Sequence, residues 1–391
     1  MHINQIYSYI ESFRKSYLAD LATLVNVDCG THNKVGVDWV GRWIATRCGE
    51  WKFDVTRLPL TERGDCYVAR WRGHGSGKLF IIGHLDTVYP DGIAAQRPMK
   101  IEGKKILGPG TCDMKAGVLA GLYAMRALQQ NNFDSFDEII YFFNSDEEIG
   151  SPASQKLYLP IVKECDAALV LEAARANGDI VSARKGVAHY LIKVKGKAAH
   201  AGVEPEKGAN AILELSHQII AAHKLNGIYN GVTVNAGIIG GGTRANVVPD
   251  DAHAHVDVRV VDPEGVRVIS ESIQKLKENI TVKGTSVEIE GEANFPPMPK
   301  NKAGAFLTEL AQLAARELNF EVRDAATGGA SDANMIAGVG VPVLDGLGPV
   351  GGLDHSPDEY IEAESIVPRT ALLAGLIKKI FGSQEKLKQL H

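Results

Sequence analysis

The sequence has few cysteines, and they form no recognisable pair. Only five occur in 391 residues, and none is separated from another by the Cys-x-x-Cys spacing. Disulfide frameworks need paired cysteines and thiolate zinc sites need clustered ones, so both are disfavoured. The odd number and wide spacing favour reduced, structural thiols in a cytoplasmic protein.

Long apolar runs and an excess of positive charge are also missing. No stretch approaches the roughly 20 apolar residues that a membrane span requires. Residues 1–21 mix apolar and charged positions, which predicts an amphipathic helix rather than a signal peptide. The net charge is −5, without the basic stripe that is typical of nucleic-acid binding. We therefore expect a soluble cytoplasmic protein with neither a membrane nor a nucleic-acid partner.

Length and pattern predict two domains of mixed α/β class. A chain of 391 residues exceeds an average single domain. Helical and strand patterns alternate over 1–182, as in a layered α/β sandwich. The order then becomes β-α-β-β-α-β, which is typical of a ferredoxin-like α+β domain. We predict a three-layer sandwich formed by 1–182 and 296–391, with an inserted domain over 183–295.

Apolar strands of the first domain end in side chains that can bind metal. The run LFIIGHLDTV reads as a buried strand that ends in His84 and Asp86. Glu147 and Glu148 follow the run EIIYFFN, and Glu172 follows DAALVL. Open α/β sheets place their sites at the carboxyl ends of the strands. Scattered acidic residues would not be expected to follow strand ends in this way, so the pattern indicates a site.

Two further candidates lie outside these strands. The Gly-rich turn GPGTCDMKAG is expected to deliver Asp113 to the start of an Ala-rich helix, and His355 lies in the loop GLDHSPDEYI. Carboxylate and imidazole without thiolate suit zinc, with manganese or cobalt as substitutes. Two such ions can polarise a carbonyl, generate hydroxide at neutral pH and hold an oxyanion. The predicted ligands are His84, Asp113, Glu148, Glu172 and His355.

The roles of Asp86 and Glu147 have alternatives when the residues are taken alone. Asp86 is two residues from His84 on one strand face, so it could orient the imidazole. It could instead cap a helix beside a solvated histidine. Glu147 is left over beside a ligand and suits a general base, although an acidic pair at a helix start is also favoured by the helix dipole. The other candidates at strand ends favour the metal-site interpretation.

Six motifs together resemble one known family. GHLDTV, GTCDMKAG, SDEEIGS, LVLE, GKAAHAG and LDHSPDEYI occur in the order seen in the dinuclear zinc aminoacylase and carboxypeptidase superfamily. The sequence is most similar to the bacterial glutamate carboxypeptidase (carboxypeptidase G) branch, over nearly the whole chain. That branch often has Pro-Thr after the second zinc glutamate, whereas Ala173 and Ala174 follow Glu172 here. This departure bears on the substrate and leaves the metal chemistry unaffected.

The resemblance implies a fold, an activity and an assembly. It implies a zinc-exopeptidase-like sandwich whose inserted domain serves as lid and dimerisation domain of a homodimer. The implied reaction is hydrolysis of an amide bond next to a free carboxylate, releasing a C-terminal amino acid, with glutamate favoured. The alternative is an aminoacylase or deacylase of N-acyl amino acids, or a dipeptidase.

The resemblance also assigns the two zinc ions to particular residues. His84 and Glu172 would bind one ion, and Glu148 and His355 the other. Asp113 would bridge the two ions. In this family the peptide bond between that aspartate and the following residue, here Met114, is cis.

Five other positions match residues that assist the reaction in the family. Asp86 would orient the first histidine, and Glu147 would act as base and proton shuttle. His200 of the insert would stabilise the oxyanion, often across a dimer. Asn246 and Arg259 would bind the carbonyl and carboxylate of the substrate.

Basic residues of the insert could have structural roles instead of binding substrate. An inward Arg259 is costly unless paired, and its partner could be Asp257 or Asp262 rather than a substrate carboxylate. Arg184 and Lys185, at the start of the insert, are expected to be solvated surface charges.

Overall fold

The computed structural model describes residues 3–390. The helices are α1 (Ile3–Ser12), α2 (Arg14–Val25), α3 (Lys34–Glu50), α4 (Ile93–Gln96), α5 (Ala116–Gln130), α6 (Gln155–Val162), α7 (Ala211–His223), α8 (Pro263–Leu276), α9 (Lys302–Glu317), α10 (Asp332–Gly338), α11 (Ile366–Phe381) and α12 (Gln384–Leu390). The strands are β1 (Asp54–Leu58), β2 (Cys66–Arg72), β3 (Lys78–His84), β4 (Lys100–Glu102), β5 (Lys105–Leu107), β6 (Glu138–Asn144), β7 (Ala167–Val170), β8 (Ile180–Arg184), β9 (Gly186–Lys195), β10 (Thr233–Gly241), β11 (Asp251–Val260), β12 (Ser286–Phe295), β13 (Asp324–Thr327), β14 (Val343–Leu344), β15 (Gly351–Gly352) and β16 (Tyr360–Glu362). No helix in this described range is both long and apolar enough to cross a bilayer.

The chain divides into two compact units. Unit 1 comprises Met1–Ala183, Lys300–Ala326 and Ser331–His391, and unit 2 comprises Arg184–Pro299 and Thr327–Ala330. The predicted insert over 183–295 is thus slightly shorter than unit 2 and lacks its second segment. Thr327–Ala330 belongs to unit 2 because it is hydrogen bonded to the start of that unit. The Lys185 N–H donates to the Thr327 carbonyl at 3.0 Å.

Unit 1 is built on a six-stranded sheet in the order β1-β2-β6-β3-β7-β14. Strands β6, β3, β7 and β14 pair in parallel, whereas β1 and β2 add antiparallel pairs at one edge. The central strands β3, β6 and β7 are buried almost throughout, which is why their sequences are continuous apolar runs. Helices α5, α9 and α11 contribute apolar residues to the same core. The predicted α/β class is confirmed.

The parallel strands bring their carboxyl ends to one edge of the sheet. His84, the last residue of β3, pairs with Asn144, the last residue of β6. Ile82 of β3 pairs with Val170, the last residue of β7. The polar residues that follow each strand therefore emerge side by side, as the sequence predicted.

Unit 2 has the predicted β-α-β-β-α-β order, formed by β9, α7, β10, β11, α8 and β12. Its sheet runs β10-β11-β9-β12, and every neighbouring pair is antiparallel. Alternate residues of β11 are buried, and they share an apolar cluster with residues of α7 and α8. This is the ferredoxin-like arrangement expected from the sequence.

The prediction that Arg184 is a solvated surface charge is wrong. Arg184 is buried, with 5% of its surface exposed, and its Nη1 donates to the Gly329 carbonyl at 3.0 Å. Lys185 is half-buried and its Nζ donates to the Gly231 carbonyl at 3.2 Å. Both side chains hold backbone carbonyls of unit 2, which local sequence pattern does not reveal.

Candidate metal centre

Five side chains of unit 1 converge at the carboxyl edge of its sheet. His84 Nε2 lies 2.8 Å from Asp113 Oδ1, and His355 Nε2 lies 3.0 Å from Asp113 Oδ2. Each imidazole also faces one glutamate, with Glu172 Oε1 at 3.8 Å from His84 and Glu148 Oε2 at 3.3 Å from His355. One carboxylate thus stands between two histidine–glutamate pairs, which is the arrangement that two bridged cations require.

A turn before helix α5 presents Asp113. Gly110 has a positive φ of 75°, and a Cβ there would lie 2.7 Å from Thr87 Cγ2, so only glycine fits. The Asp113–Met114 peptide bond is cis. Asp113 has φ −120° and ψ 91°, which are not helical values, and α5 begins only at Ala116. The turn therefore delivers Asp113 to the start of α5, and Asp113 itself lies three residues before the first residue of that helix.

Burial and hydrogen bonds both shift the pKa values of the side chains in this cluster. Burial opposes ionisation of Asp113, but hydrogen bonds from His355 and His84 hold its pKa below the ordinary range. Burial likewise opposes the charged form of His84, yet its contacts with Asp113 and Asp86 raise its pKa well above the usual value. Hydrogen bonds to Asp113 and Glu148 raise the pKa of His355 to about 10. These hydrogen bonds involve the Nε2 atoms of the two imidazoles, which must be free of protons to bind a metal.

The donor set fits divalent cations. Burial raises the pKa of Glu148 to about 7, and its Oε1 is shielded from solvent without a hydrogen-bond partner. A buried carboxylate oxygen is costly to leave without a partner, and a cation would supply one. Three groups of side chains have potential ligand atoms within 4.8 Å of one another: His84, Glu147 and Glu172; His84, Asp113 and Glu148; and Asp113, Asp354 and His355. Imidazole and carboxylate donors suit zinc, manganese or cobalt.

Asp86 contacts more of this centre than the sequence indicated. It is fully buried, and its carboxylate accepts hydrogen bonds from Thr31 Oγ1 at 2.7 Å and from the backbone N–H groups of Glu147 at 3.2 Å and Glu148 at 3.3 Å. His84 Nδ1 lies 3.0 Å from the Asp86 carbonyl and 3.5 Å from its Oδ1. Asp86 therefore holds both the first histidine and the backbone of the glutamate pair.

Glu147 lies beside the cluster in a one-turn helix that comes directly after β6. Burial is the main reason that its pKa is raised well above the ordinary range, with nearby carboxylates adding to the effect. One of those carboxylates is Asp332, which is buried and accepts hydrogen bonds from Asn144, Ser151 and Tyr158 at 2.6, 2.6 and 2.8 Å. A carboxyl group with a raised pKa beside a metal cluster is suited to proton transfer.

Glu359 is a buried carboxylate that sequence reasoning missed. Its Oε1 accepts hydrogen bonds from the backbone N–H groups of Cys112 at 2.7 Å and Asp113 at 3.0 Å. Its Oε2 accepts from the Gly110 N–H at 2.8 Å and the Tyr89 hydroxyl at 2.7 Å. Because Glu359 comes four residues after His355, it joins the loop of His355 to the turn that presents Asp113. The only local signal was its place in the motif LDHSPDEYI.

We predict that the Glu359→Ala substitution weakens metal binding by about 10- to 100-fold, the usual effect of removing a group that orients a ligand. Three backbone N–H groups of the turn around Asp113 would lose their acceptor at once. Equilibrium competition with a chromophoric chelator, well below the melting temperature, measures the affinity. The exposed Glu364 supplies the matched control, Glu364→Gln. A fall in melting temperature of the metal-free protein with unchanged metal affinity would mean that Glu359 only stabilises the fold.

The predicted oxyanion histidine of unit 2 lies in an exposed loop. His200 Nδ1 accepts a hydrogen bond from the Gly202 N–H at 3.2 Å. This contact places the imidazole proton on Nε2, which is then free to donate. The adjacent Ala201 N–H donates to the Asn246 carbonyl at 3.0 Å, so His200 and the predicted substrate-binding residue Asn246 lie on neighbouring segments.

Arg259 is paired with Asp257, one of the two structural acids predicted as alternatives to a substrate carboxylate. Its Nε and Nη2 donate to Asp257 at 2.8 and 2.9 Å. Its Nη1 donates to the Gly328 carbonyl at 3.3 Å. The guanidinium is therefore held beside Gly328 by a structural acid.

Comparison with known proteins finds similarity over nearly the whole chain. The profile described as Peptidase family M20/M25/M40 matches residues 80–379. Carboxypeptidase G2 from Pseudomonas sp. (strain RS-16) is 29% identical over 382 residues, which are 96% of this chain and 91% of that protein. Acetylornithine deacetylase from Proteus mirabilis (strain HI4320) is 26% identical over 97% of this chain and 98% of its own length. The crystal structure of aminopeptidase PepT from Bacillus cereus ATCC 10987 has the same fold, with a TM-score of 0.82 at 24% identity over 94% of this chain and 98% of that one.

Proposed function

Because the chain belongs to peptidase family M20/M25/M40, we propose that it is a dizinc hydrolase that cleaves an amide bond next to a free carboxylate. Family membership makes it a metallohydrolase. The similarity to carboxypeptidase G2 supports release of a C-terminal amino acid, with glutamate favoured. The observation that carries the proposal is the single Asp113 carboxylate between His84 and His355, each of which faces its own glutamate.

The proposed mechanism assigns a task to each residue of the centre. His84 and Glu172 would hold one zinc ion and Glu148 and His355 the other, with Asp113 between them. Bound there, the ions would polarise the scissile carbonyl and acidify water. Manganese or cobalt are possible substitutes.

Proton transfer falls to Glu147 in this proposal. Its carboxylate takes a proton from the attacking water and delivers it to the leaving amine. The hydrogen bonds that Asp86 accepts from the backbone of Glu147 and Glu148 keep the base and the neighbouring ligand in fixed relation. His200 donates its Nε2–H to the developing oxyanion, as its hydrogen bond with Gly202 allows.

Recognition of the substrate is assigned to unit 2. Asn246 binds the carbonyl of the scissile bond, and Arg259 binds the free carboxylate through its planar fork. A guanidinium can meet a carboxylate with two parallel hydrogen bonds, which a lysine cannot reproduce. Asp257 holds Arg259 in position before substrate arrives.

We further propose a cytoplasmic homodimer formed through unit 2. Edge strand β10 exposes Ile238 and Ile239, at 62% and 60%, and helix α7 exposes Ile212, Leu213 and Ile220. An edge strand with exposed apolar side chains is suited to pairing with another chain. The five cysteines are free and buried, which supports a reducing compartment.

A deacylase is the second candidate, favoured by the 26% identity with acetylornithine deacetylase along the whole chain. It keeps the same metal chemistry and differs in the substrate. A carboxypeptidase should select its substrates mainly by the amino acid that leaves. A deacylase should select them mainly by the acyl group.

A substrate panel combined with metal analysis tests both. We expect about two metal ions per chain and chelator-sensitive hydrolysis that is faster for N-acyl-glutamates than for N-acetyl derivatives of other amino acids or for dipeptides. A higher kcat/KM for N-acetyl amino acids irrespective of the leaving residue would favour the deacylase. Absence of turnover from a chain loaded with metal would contradict both candidates and indicate a binding protein.

A further inference from the structure

A small polar cavity of unit 1 adjoins the metal centre. Its volume is about 200 Å³, and its wall includes the ligands Asp113 and Glu172 together with Arg175. Alanine and glycine residues form much of the rest of the lining, so no large side chain fills the space. The cavity is therefore open to a substituent of the molecule that the centre binds.

The Arg175 guanidinium in this wall is incompletely satisfied. Its Nη2 donates to the Ala173 carbonyl at 3.2 Å, and its Nε is shielded from solvent without an acceptor. No carboxylate of residues 3–390 makes an ion pair with it, whereas the buried Arg369 donates to three backbone carbonyls. Arg175 therefore lines the cavity without a carboxylate partner of its own, and a buried or half-buried guanidinium is stabilised by an anionic acceptor.

The turn that carries Arg175 is held independently of its side chain. The Arg175 N–H donates to the Asp179 carbonyl at 3.0 Å, and the Gly178 N–H donates to the Arg175 carbonyl at 2.7 Å. Arg369 Nη1 donates to the Gly178 carbonyl at 3.0 Å. A binding group on a backbone fixed in this way loses little freedom when it meets a ligand. The same contacts should preserve the turn when the side chain is replaced.

We propose that this cavity is a substrate subsite in which Arg175 binds a second carboxylate of the substrate, distinct from the one assigned to Arg259. The proposal rests on the proposed hydrolase function and narrows its substrate class to molecules with two acidic groups. With cations bound, the charges of Asp113 and Glu172 are offset, and Arg175 is left to attract an anion. The remaining acid of the lining, Asp354, is exposed, so solvent and salt screen its charge.

The second carboxylate could belong to either half of the substrate, and paired substrates distinguish the two sources. On the acyl side, N-succinyl-glutamate is compared with N-succinamoyl-glutamate. On the amine side, N-acetyl-glutamate is compared with N-acetyl-glutamine. We expect Arg175→Ala to lower kcat/KM about 10- to 100-fold for the acid of one pair, as for loss of a charge-assisted hydrogen bond, and to leave its amide partner nearly unchanged. Arg175→Lys should retain part of the preference.

Metal content, melting temperature and the rates for the paired substrates together separate failure of the subsite from other failures. Metal content and melting temperature show whether the variants fold, and Arg72→Ala, at a largely exposed arginine, is the matched control. Equal losses for acid and amide in both pairs would overturn the subsite while leaving the hydrolase intact. If the wild-type protein cleaves no member of either pair, the proposed function itself fails.

Discussion

Replacing Glu147 with glutamine is expected to lower kcat by about 10² to 10⁴-fold, the range that general acid–base groups contribute, while both metal ions stay bound. Glutamine has nearly the same size and keeps the backbone N–H that donates to Asp86. It cannot accept the proton of the attacking water or return it to the leaving amine. The proposed ligands are unchanged in this variant: His84, Asp113, Glu148, Glu172 and His355. Steady-state kinetics and metal analysis on the same preparation make the test.

The control for this substitution is Glu164→Gln, at a largely exposed glutamate that lies outside the cluster. It should leave both activity and metal content at wild-type values. If Glu147→Gln loses metal as well as activity, Glu147 is a ligand, as its place in one potential metal group allows. If it retains full activity, another residue is the base.

Much of the centre could be predicted from strand ends. The runs before His84, Glu147 and Glu172 are apolar because parallel strands are covered on both faces, so their ends are visible in sequence. Since these strands are parallel, the residues directly after them meet at one edge of the sheet. The six motifs identified the family correctly, and they support His355, whose loop does not follow a buried strand as the other candidates do.

The supporting contacts could not be predicted in the same way. Asp86 accepts from the backbone of Glu147, and Glu359 accepts from the backbone of Asp113, across 61 and 246 positions of the chain. Backbone N–H groups are present at nearly every residue, so no local pattern marks which of them a distant carboxylate will hold. The error at Arg184 has the same origin, because a hydrogen bond to the backbone of the distant Gly329 outweighs the preference of a charged side chain for solvent.

The Asp113→Asn substitution should remove most of the metal, since this one side chain contacts both histidines. Asparagine offers one neutral oxygen and an amide N–H₂ that no cation can use, so neither half of the centre keeps an anionic bridge. We expect less than about one ion per chain and a loss of activity on the order of 10³ to 10⁵-fold, as for removal of several kcal/mol of transition-state stabilisation.

Stability provides a readout of this variant that does not depend on turnover. A metal at 100 times its Kd stabilises the native state by about 2.7 kcal/mol, because it binds the folded form alone. Zinc should therefore raise the melting temperature of the wild-type protein and of Asp358→Asn, an exposed neighbour of His355, and raise that of Asp113→Asn far less. An equal zinc-dependent rise in all three would show that the ions bind elsewhere. Activity could then not be ascribed to these five side chains, because the cations would not be bound by Asp113 and the histidines on either side of it.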